Sequence, residues 1–350
     1  MSLEDELTRL LEAKVPIPRD RQLVRRVLGW DGQGGCSLKQ AGDEVGITRE
    51  RSRQIYQSAV ELLQTCELSS GLDEVLAYVS LMCNRDADDV QTELQRRGFT
   101  RCRFGARALV QTARIFGREP DFTIEETGGK LFVVAGPGVV RSILKAALRS
   151  SSRYGIQTVS EMCTAIPLDC RRACDRILVR QILKTRNDTR WLDTREQWFW
   201  LASVPRNPVV ACLKKLLHYA SSVSIVDIHR AIGRLPRKRK TPIKREAVVG
   251  FCRQAPFCRL RNESVELVAS FGAVKALSSP EATVCRILKR NGNELRVDRL
   301  QELCASAGIT KPNLWRIILY SPLVFRRASG IYRLVTASPG RAETVKRRTA

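Results

Sequence analysis

Arg49, Glu50, Arg53 and Gln54 fall within six consecutive positions, and each carries a group that can hydrogen-bond to the edge of a base pair. A guanidinium donates two parallel bonds to guanine, a carboxamide grips adenine in the same bidentate way, and a carboxylate accepts from the amino group of cytosine. To do this the quartet must ride on the opening turns of a helix that fits the major groove. The flanking residues predict such a helix. Ser37 is an N-cap hydroxyl with Gln40 three residues on, a capping-box spacing, and Leu38, Ala41 and Val45 recur at helical intervals. Gly42 lets two helices cross closely and Gly46 suits the left-handed residue of a tight turn. Thr48 then caps a second helix running to about Thr65, whose apolar face is read as Ile55, Ala59, Leu62 and Leu63, leaving the quartet outside. The blander alternative is a solvated helix whose charges pair along its own length.

The run T-R-E-R-x-R-Q-I at Thr48 to Ile55 closely resembles the fourth conserved region of bacterial sigma factors, the helix-turn-helix that recognises the upstream promoter hexamer. Arg19 to Gly35, with LGWDGQGG after a basic amphipathic segment, resembles the helix and loop that precede it, so the likeness covers about residues 16–66. The resemblance implies that Arg49, Glu50 and Gln54 face bases and that Arg51 and Arg53 work on phosphates or neighbouring bases; Arg53 is grouped with the base contacts, and Thr48 with Arg51 as phosphate contacts. Ser52 stands where that family prefers a branched apolar core residue, and Tyr56 where it usually carries glutamate. The aromatic-rich melting segment and the principal polymerase-binding helices of a complete sigma factor are missing from the sequence.

Charge extends the nucleic-acid reading to the whole chain. There are 60 Lys plus Arg against 36 Asp plus Glu, a formal charge of +24, and a field of that sign attracts polyanions. No apolar run approaches the ~18 residues that span a bilayer, and the acidic, amphipathic opening MSLEDELTRLLEAK is unlike a secretory signal. The 12 cysteines include no C-x-x-C, and Cys163, Cys170 and Cys174 have only His218 and His229 in the chain to complete a metal site. They are read as reduced core residues in a cytoplasmic, nucleoid-associated bacterial protein.

Beyond residue 67 a pattern recurs four times, a helical stretch closing on two β-prone runs about a tight turn. The pairs are FTIEE with LFVVA, RWLD with WFWLA, FCRLR with VELVA, and LVFRR with IYRLV. Their second runs begin near Leu131, Gln197, Val265 and Ile331, intervals of 66, 68 and 66 residues. Three helices and a two-stranded hairpin describe a winged helix, so the predicted fold is mainly α with small β-hairpins. It comprises an N-terminal helix-turn-helix domain (1–67), winged-helix-like repeats at 72–135, 139–203, 208–270 and 280–335, and a basic tail at 336–350 read as disordered. Phosphate contacts are expected from the third helices, through Arg101, Arg103 and Arg107 in the first repeat and Arg171, Arg172 and Arg176, with Arg180 nearby, in the second. Lys244, Arg245, Lys311 and Arg316 are the corresponding cations of the last two repeats. A polar insert from Gly233 to Arg245, rich in Arg234, Arg237, Lys238, Arg239 and Lys240, is read as an arm gripping phosphate. Trp191, Trp198, Trp200 and Trp315 are assigned to cores, as are Ile317, Ile318 and Leu319.

No nucleophile–histidine constellation, dinucleotide fingerprint or phosphate-binding loop is legible. The expectation is a non-enzymatic protein without cofactor or metal, binding double-stranded DNA in transcription initiation or its regulation. RNA polymerase is a further candidate partner. The competing readings are a polymerase- or protein-interaction scaffold and a DNA-targeting accessory factor of a mobile element or defence system.

Overall fold

The computed structural model describes residues 2–67, 71–167, 174–235, 241–268 and 277–336. It opens with four helices, α1 (Leu3–Lys14), α2 (Pro18–Leu28), α3 (Leu38–Glu44) and α4 (Arg49–Gln64). Ser2 starts α1 through a capping box with Asp5, and Pro18 starts α2 where its missing N–H is not needed. Gly29 stops α2 in the left-handed conformation at φ 71°.

The chain then makes four passes through one order: helix, short strand, helix, helix, strand, strand. The first is α5 (Gly71–Leu81), β1 (Arg85–Asp86), α6 (Ala87–Arg96), α7 (Ala106–Ile115), β2 (Thr123–Thr127) and β3 (Lys130–Val134). The second is α8 (Val139–Tyr154), β4 (Gln157–Thr158), α9 (Val159–Ala165), α10 (Arg176–Lys184), β5 (Thr189–Trp191) and β6 (Trp198–Leu201). The third is α11 (Pro208–Tyr219), β7 (Ser222–Ser224), α12 (Ile225–Gly233), α13 (Arg245–Gln254), β8 (Cys258–Arg261) and β9 (Ser264–Leu267). The fourth is α14 (Ser279–Arg290), β10 (Glu294–Arg296), α15 (Val297–Ser306), α16 (Lys311–Tyr320), β11 (Val324–Ala328) and β12 (Ile331–Leu334).

The chain is thus mainly helical with small antiparallel sheets, and all four hairpins form. One detail departs from expectation. Each sheet has three strands rather than two, because the short strand after the first helix pairs with the last strand of its pass and makes that strand central. In the first pass Arg85 lies opposite Val133 and Asp86 opposite Phe132. The first hairpin turns on Gly128 and Gly129, both at positive φ (55° and 76°), as a two-residue turn matched to strand twist requires.

Packing divides the chain into two compact bodies, Met1–Leu144 with Ile166–Asn187, and Lys145–Ala165 with Asp188–Ala350. The second pass therefore contributes α10 to one body and its sheet to the other. In the first body one core runs from Leu7, Leu23 and Leu28 through Ile55 and Leu63 to Leu94, Phe104 and Val133, so the N-terminal helices and the first pass are not separately cored. The second body is cored from Trp198 and Trp200 through Phe251 to Leu314 and Leu334.

The third helices of the first three passes are buried on more than one side. In α7, Ala106, Ala108, Leu109, Thr112, Ala113 and Ile115 are all buried. Small side chains there admit α2 and α4, and the Trp30 indole donates to the Thr112 hydroxyl at 2.8 Å. In α10, the Gln181 carboxamide accepts from the Asp86 backbone N–H at 3.2 Å and donates to Asp89 at 2.7 Å, while Thr185 packs under the Gly128 turn. In α13, Gly250 lies directly against the Leu192 backbone and Phe251 meets Trp200 edge-on at 4.8 Å. Each of these helices docks on the elements that precede its own pass, α7 on the N-terminal helices and α10 and α13 on the pass before. The fourth pass joins differently, through Arg234 at the C-terminal end of α12, whose guanidinium donates to the Ile318 and Val324 carbonyls.

Candidate nucleic-acid interface

The helix-turn-helix forms as its residues require. Ser37 accepts from the Gln40 N–H at 3.3 Å while Gln40 accepts from the Ser37 N–H at 3.1 Å, the reciprocal capping box. Gly46 takes φ 72° in the turn, and Thr48, extended at ψ 154°, caps α4 by accepting from the Arg51 N–H at 3.3 Å. Gly42 has no room for a Cβ, which would meet the Ser52 hydroxyl and lie 2.9 Å from the Ile47 carbonyl. Ser52 is therefore a packing residue. It is fully buried, and its hydroxyl donates back to the Thr48 carbonyl at 3.0 Å, so the close crossing uses a small residue where a branched one would not fit. The buried face of α4 is Ser52, Ile55, Ala59 and Leu63; Leu62, assigned to that face by sequence, is 43% exposed.

On the opposite face Arg49, Glu50, Arg51, Arg53 and Gln54 are all exposed. Glu50 and Arg53 pair at 2.7 Å, Arg53 reaches Gln57 at 3.0 Å, and Arg51 donates to Gln54 at 3.3 Å. Arg49 has no hydrogen-bond or ion-pair partner among the described residues. The Arg53 guanidinium holds the Glu50 carboxyl below its usual range. Such i,i+3 surface pairs are worth only ~0.2–0.5 kcal/mol, so exchanging them for bonds to bases costs little. The unsatisfied N–H groups of the first turn add a positive pole beside Arg49 and Arg51, which favours an anion there.

Behind this face, Tyr56 fixes α4 itself, and Trp30 and Arg26 fix the elements around it. Tyr56 is half-buried and its hydroxyl accepts from Gln111 Nε2 at 2.7 Å. Burial raises its pKa, so it stays neutral. Trp30, flanked by Gly29 and Gly32 at positive φ, plugs the loop onto α7, and Arg26 ties α2 to α3 through both Glu44 oxygens at 3.1 Å. A tryptophan inside a glycine-rich turn, LGWDGQGG, was the signal available for the plug.

The expected phosphate contacts scatter more widely. Arg101 and Arg103 precede α7 rather than lying on it. Arg101 pairs with Asp5 at 2.7 Å, while its N–H and that of Cys102 donate to Glu4 at 3.0 and 3.1 Å. Arg103 is exposed, and Arg107 on α7 pairs with Glu126 of the hairpin. Arg176 is exposed at the first position of α10; Arg171 and Arg172 lie outside the described residues. So do Arg237, Lys238, Arg239 and Lys240 of the basic insert. Arg234, grouped with that insert by sequence, is instead the C-cap of α12 and is partly buried, and Arg245 pairs with Glu263 at 2.6 Å. On α16, Lys311 and Arg316 are exposed, but so is Leu319 at 55%, against its assignment to the core.

Several titratable groups have structural partners. His229 Nε2 lies 2.7 Å from the Ile243 carbonyl, Asp86 caps α6 and pairs with Lys130, and Glu125 accepts from the backbone N–H groups of Gly138 and Val140. Cys212, Cys252, Cys258, Cys285 and Cys304 are buried free thiols, and burial pushes Cys212 up to about 12. Among the described residues no helix is long and apolar enough to cross a membrane. No protein-family model matches this chain, and no curated protein matches it either.

Proposed function

We propose that the chain is a non-enzymatic, sequence-specific binder of double-stranded DNA acting in transcription initiation or its control, with α4 as the reading helix. The observation that carries this reading is the exposed first two turns of α4, which present guanidinium, carboxylate and carboxamide groups together on a capped helix pinned from behind by Tyr56 and Ser52. The four repeated passes are winged-helix-like modules that extend the footprint. Because the third helices of the first three are occupied by docking, those modules meet DNA through hairpins and loops rather than through third helices. Several weak contacts on one chain then combine by effective concentration.

The test is to sequence DNA fragments that co-purify with the intact protein. A shared short motif is the expected result, and fragments without one leave only charge attraction. Eight neutralised phosphates would give a slope near −7 for log affinity against log salt, by the usual ~0.9 per phosphate. A nearly salt-independent affinity removes phosphate contact from the reading.

A second reading draws on those same covered third helices. Modules whose third helices are used for docking suit a scaffold, with the N-terminal helices on RNA polymerase. Pulldown of polymerase that survives nuclease treatment favours the scaffold; pulldown lost with the DNA favours direct DNA reading.

A further inference from the structure

The hairpin of the fourth module carries Arg326 and Arg327 on β11 and Arg333 on β12. Directly opposite one another in register, Phe325 and Arg333 share a face of the sheet; Arg326 lies opposite Tyr332 on the edge strand, and the register shifts at Arg327. Over that face comes α12 of the third module, whose Arg230 stacks on the Phe325 ring at 5.5 Å. Arg230, Arg326, Arg327 and Arg333 line one cavity of about 200 Å³ together with the Asp227 carboxylate, and Phe325 forms part of its wall.

Two of these charges are balanced. Arg230 pairs with Asp227 at 2.9 Å and Arg327 with Glu294 at 2.6 Å. Arg326 and Arg333 are exposed, and neither has a carboxylate within 4 Å among the described residues; Arg333 donates only to the Thr336 hydroxyl at 3.2 Å. Beneath them Arg234, also near the Phe325 ring at 6.0 Å, gives its donors to backbone carbonyls and so brings a further uncompensated charge. With one carboxylate against four guanidiniums the cavity keeps a net positive charge, which an anion with several acceptor oxygens would balance. Phosphate matches the fork of a guanidinium.

We propose that this cavity is a phosphate site for a nucleic-acid backbone, with Arg326 and Arg333 as its ligands and Arg230 and Arg327 as flanking charges. The site lies on the fourth hairpin and the preceding module's second helix, away from the third-helix cations Lys311 and Arg316. The inference rests on the duplex-binding reading above and adds a sequence-independent contact to it.

The test uses the full chain and its R326Q/R333Q variant in two assays. In the first, thermal unfolding is followed in inorganic phosphate and in chloride at matched ionic strength. Phosphate is expected to raise the midpoint of the wild-type chain by a few degrees and that of the variant not at all. In the second, duplex affinity is measured against salt. The variant's slope should be shallower by about 1.8, its affinity near 0.1 M salt roughly tenfold or more weaker, and the loss equal on all sequences, while R326K/R333K keeps most of the slope.

An unchanged slope overturns the proposal. If phosphate stabilisation is nonetheless lost in the variant, the cavity takes free phosphate rather than a nucleic-acid backbone. Failure of the broader reading looks different: the wild-type chain would prefer no sequence, yet R326Q/R333Q would still flatten its salt dependence.

Discussion

The two helices α4 and α7 each follow a short helix across a turn, but their outer faces are opposites. On α4 that face is Arg49, Glu50, Arg53 and Gln54, long polar chains that keep any neighbour away; on α7 only Arg107, Gln111 and Arg114 stay exposed, and the buried Ala106, Ala108, Thr112 and Ala113 are short enough for α2 and α4 to settle against them. Chain length on the outer face thus sorts two similar helix pairs into one open to a ligand and one that serves as a joint. Gly250 on α13 repeats the second solution with no side chain at all.

The joint should be the more costly place to disturb. Trp30→Ala removes a fully buried indole and its bond to Thr112, and should lower unfolding free energy by about 3–5 kcal/mol in urea denaturation. A loss below ~1 kcal/mol would mean that the loop does not hold α7. Next comes Gly250→Ala, whose new methyl must displace the Leu192 backbone; a loss of about 3 kcal/mol is expected, and stability equal to wild type would show that this contact is loose.

On the open helix the same kind of truncation should leave stability alone and change recognition. Arg49→Ala and Gln54→Ala should each lose roughly 2 kcal/mol of discrimination at one base pair, read by competition with single-base-pair variants of the selected motif. An equal loss on every sequence would turn α4 into a phosphate contact.

The smallest effect is acidic. Arg96, then Arg97 and Tyr78, hold the Glu93 carboxyl well below the usual range, and Arg53 does the same more weakly for Glu50. A carboxylate with a depressed folded value contributes stability above its unfolded value of about 4.3, and that contribution is lost as pH falls through the folded one. The thermal midpoint should be flat from about pH 7 to 5 and decline below about 4, with a shallower decline in Glu93→Gln. A decline unchanged in that variant would assign acid sensitivity elsewhere.

Features that depend on local geometry were legible in the sequence. The Ser37/Gln40 box, the Thr48 cap, the Gly46 turn and all four hairpins follow from neighbouring residues and formed as read. Features defined by distant partners were not. Strands β1 and β4 are two residues long, too short to show alternation, and exist only because a strand far along the chain pairs with them. An alanine-rich helix face looks the same whether it meets one neighbour or two, which hid the docking of α7. Arg234 sits in a basic run that reads as solvated, and its burial depends on carbonyls more than 80 residues away. The open face of α4 was readable for a simpler reason, since long charged side chains seldom pack inward without partners.

A three-stranded sheet has two raw margins, and an unpaired N–H on such a margin is an invitation for another chain to add a strand and begin to aggregate. At Asp86, on the margin strand of the first sheet, the Gln181 carboxamide already accepts that N–H, while Lys130 and its charge stand alongside. Helix α10, packed on the first sheet, therefore also shields that margin from self-templated growth, to which a chain carrying repeated sheets of this kind would otherwise be prone.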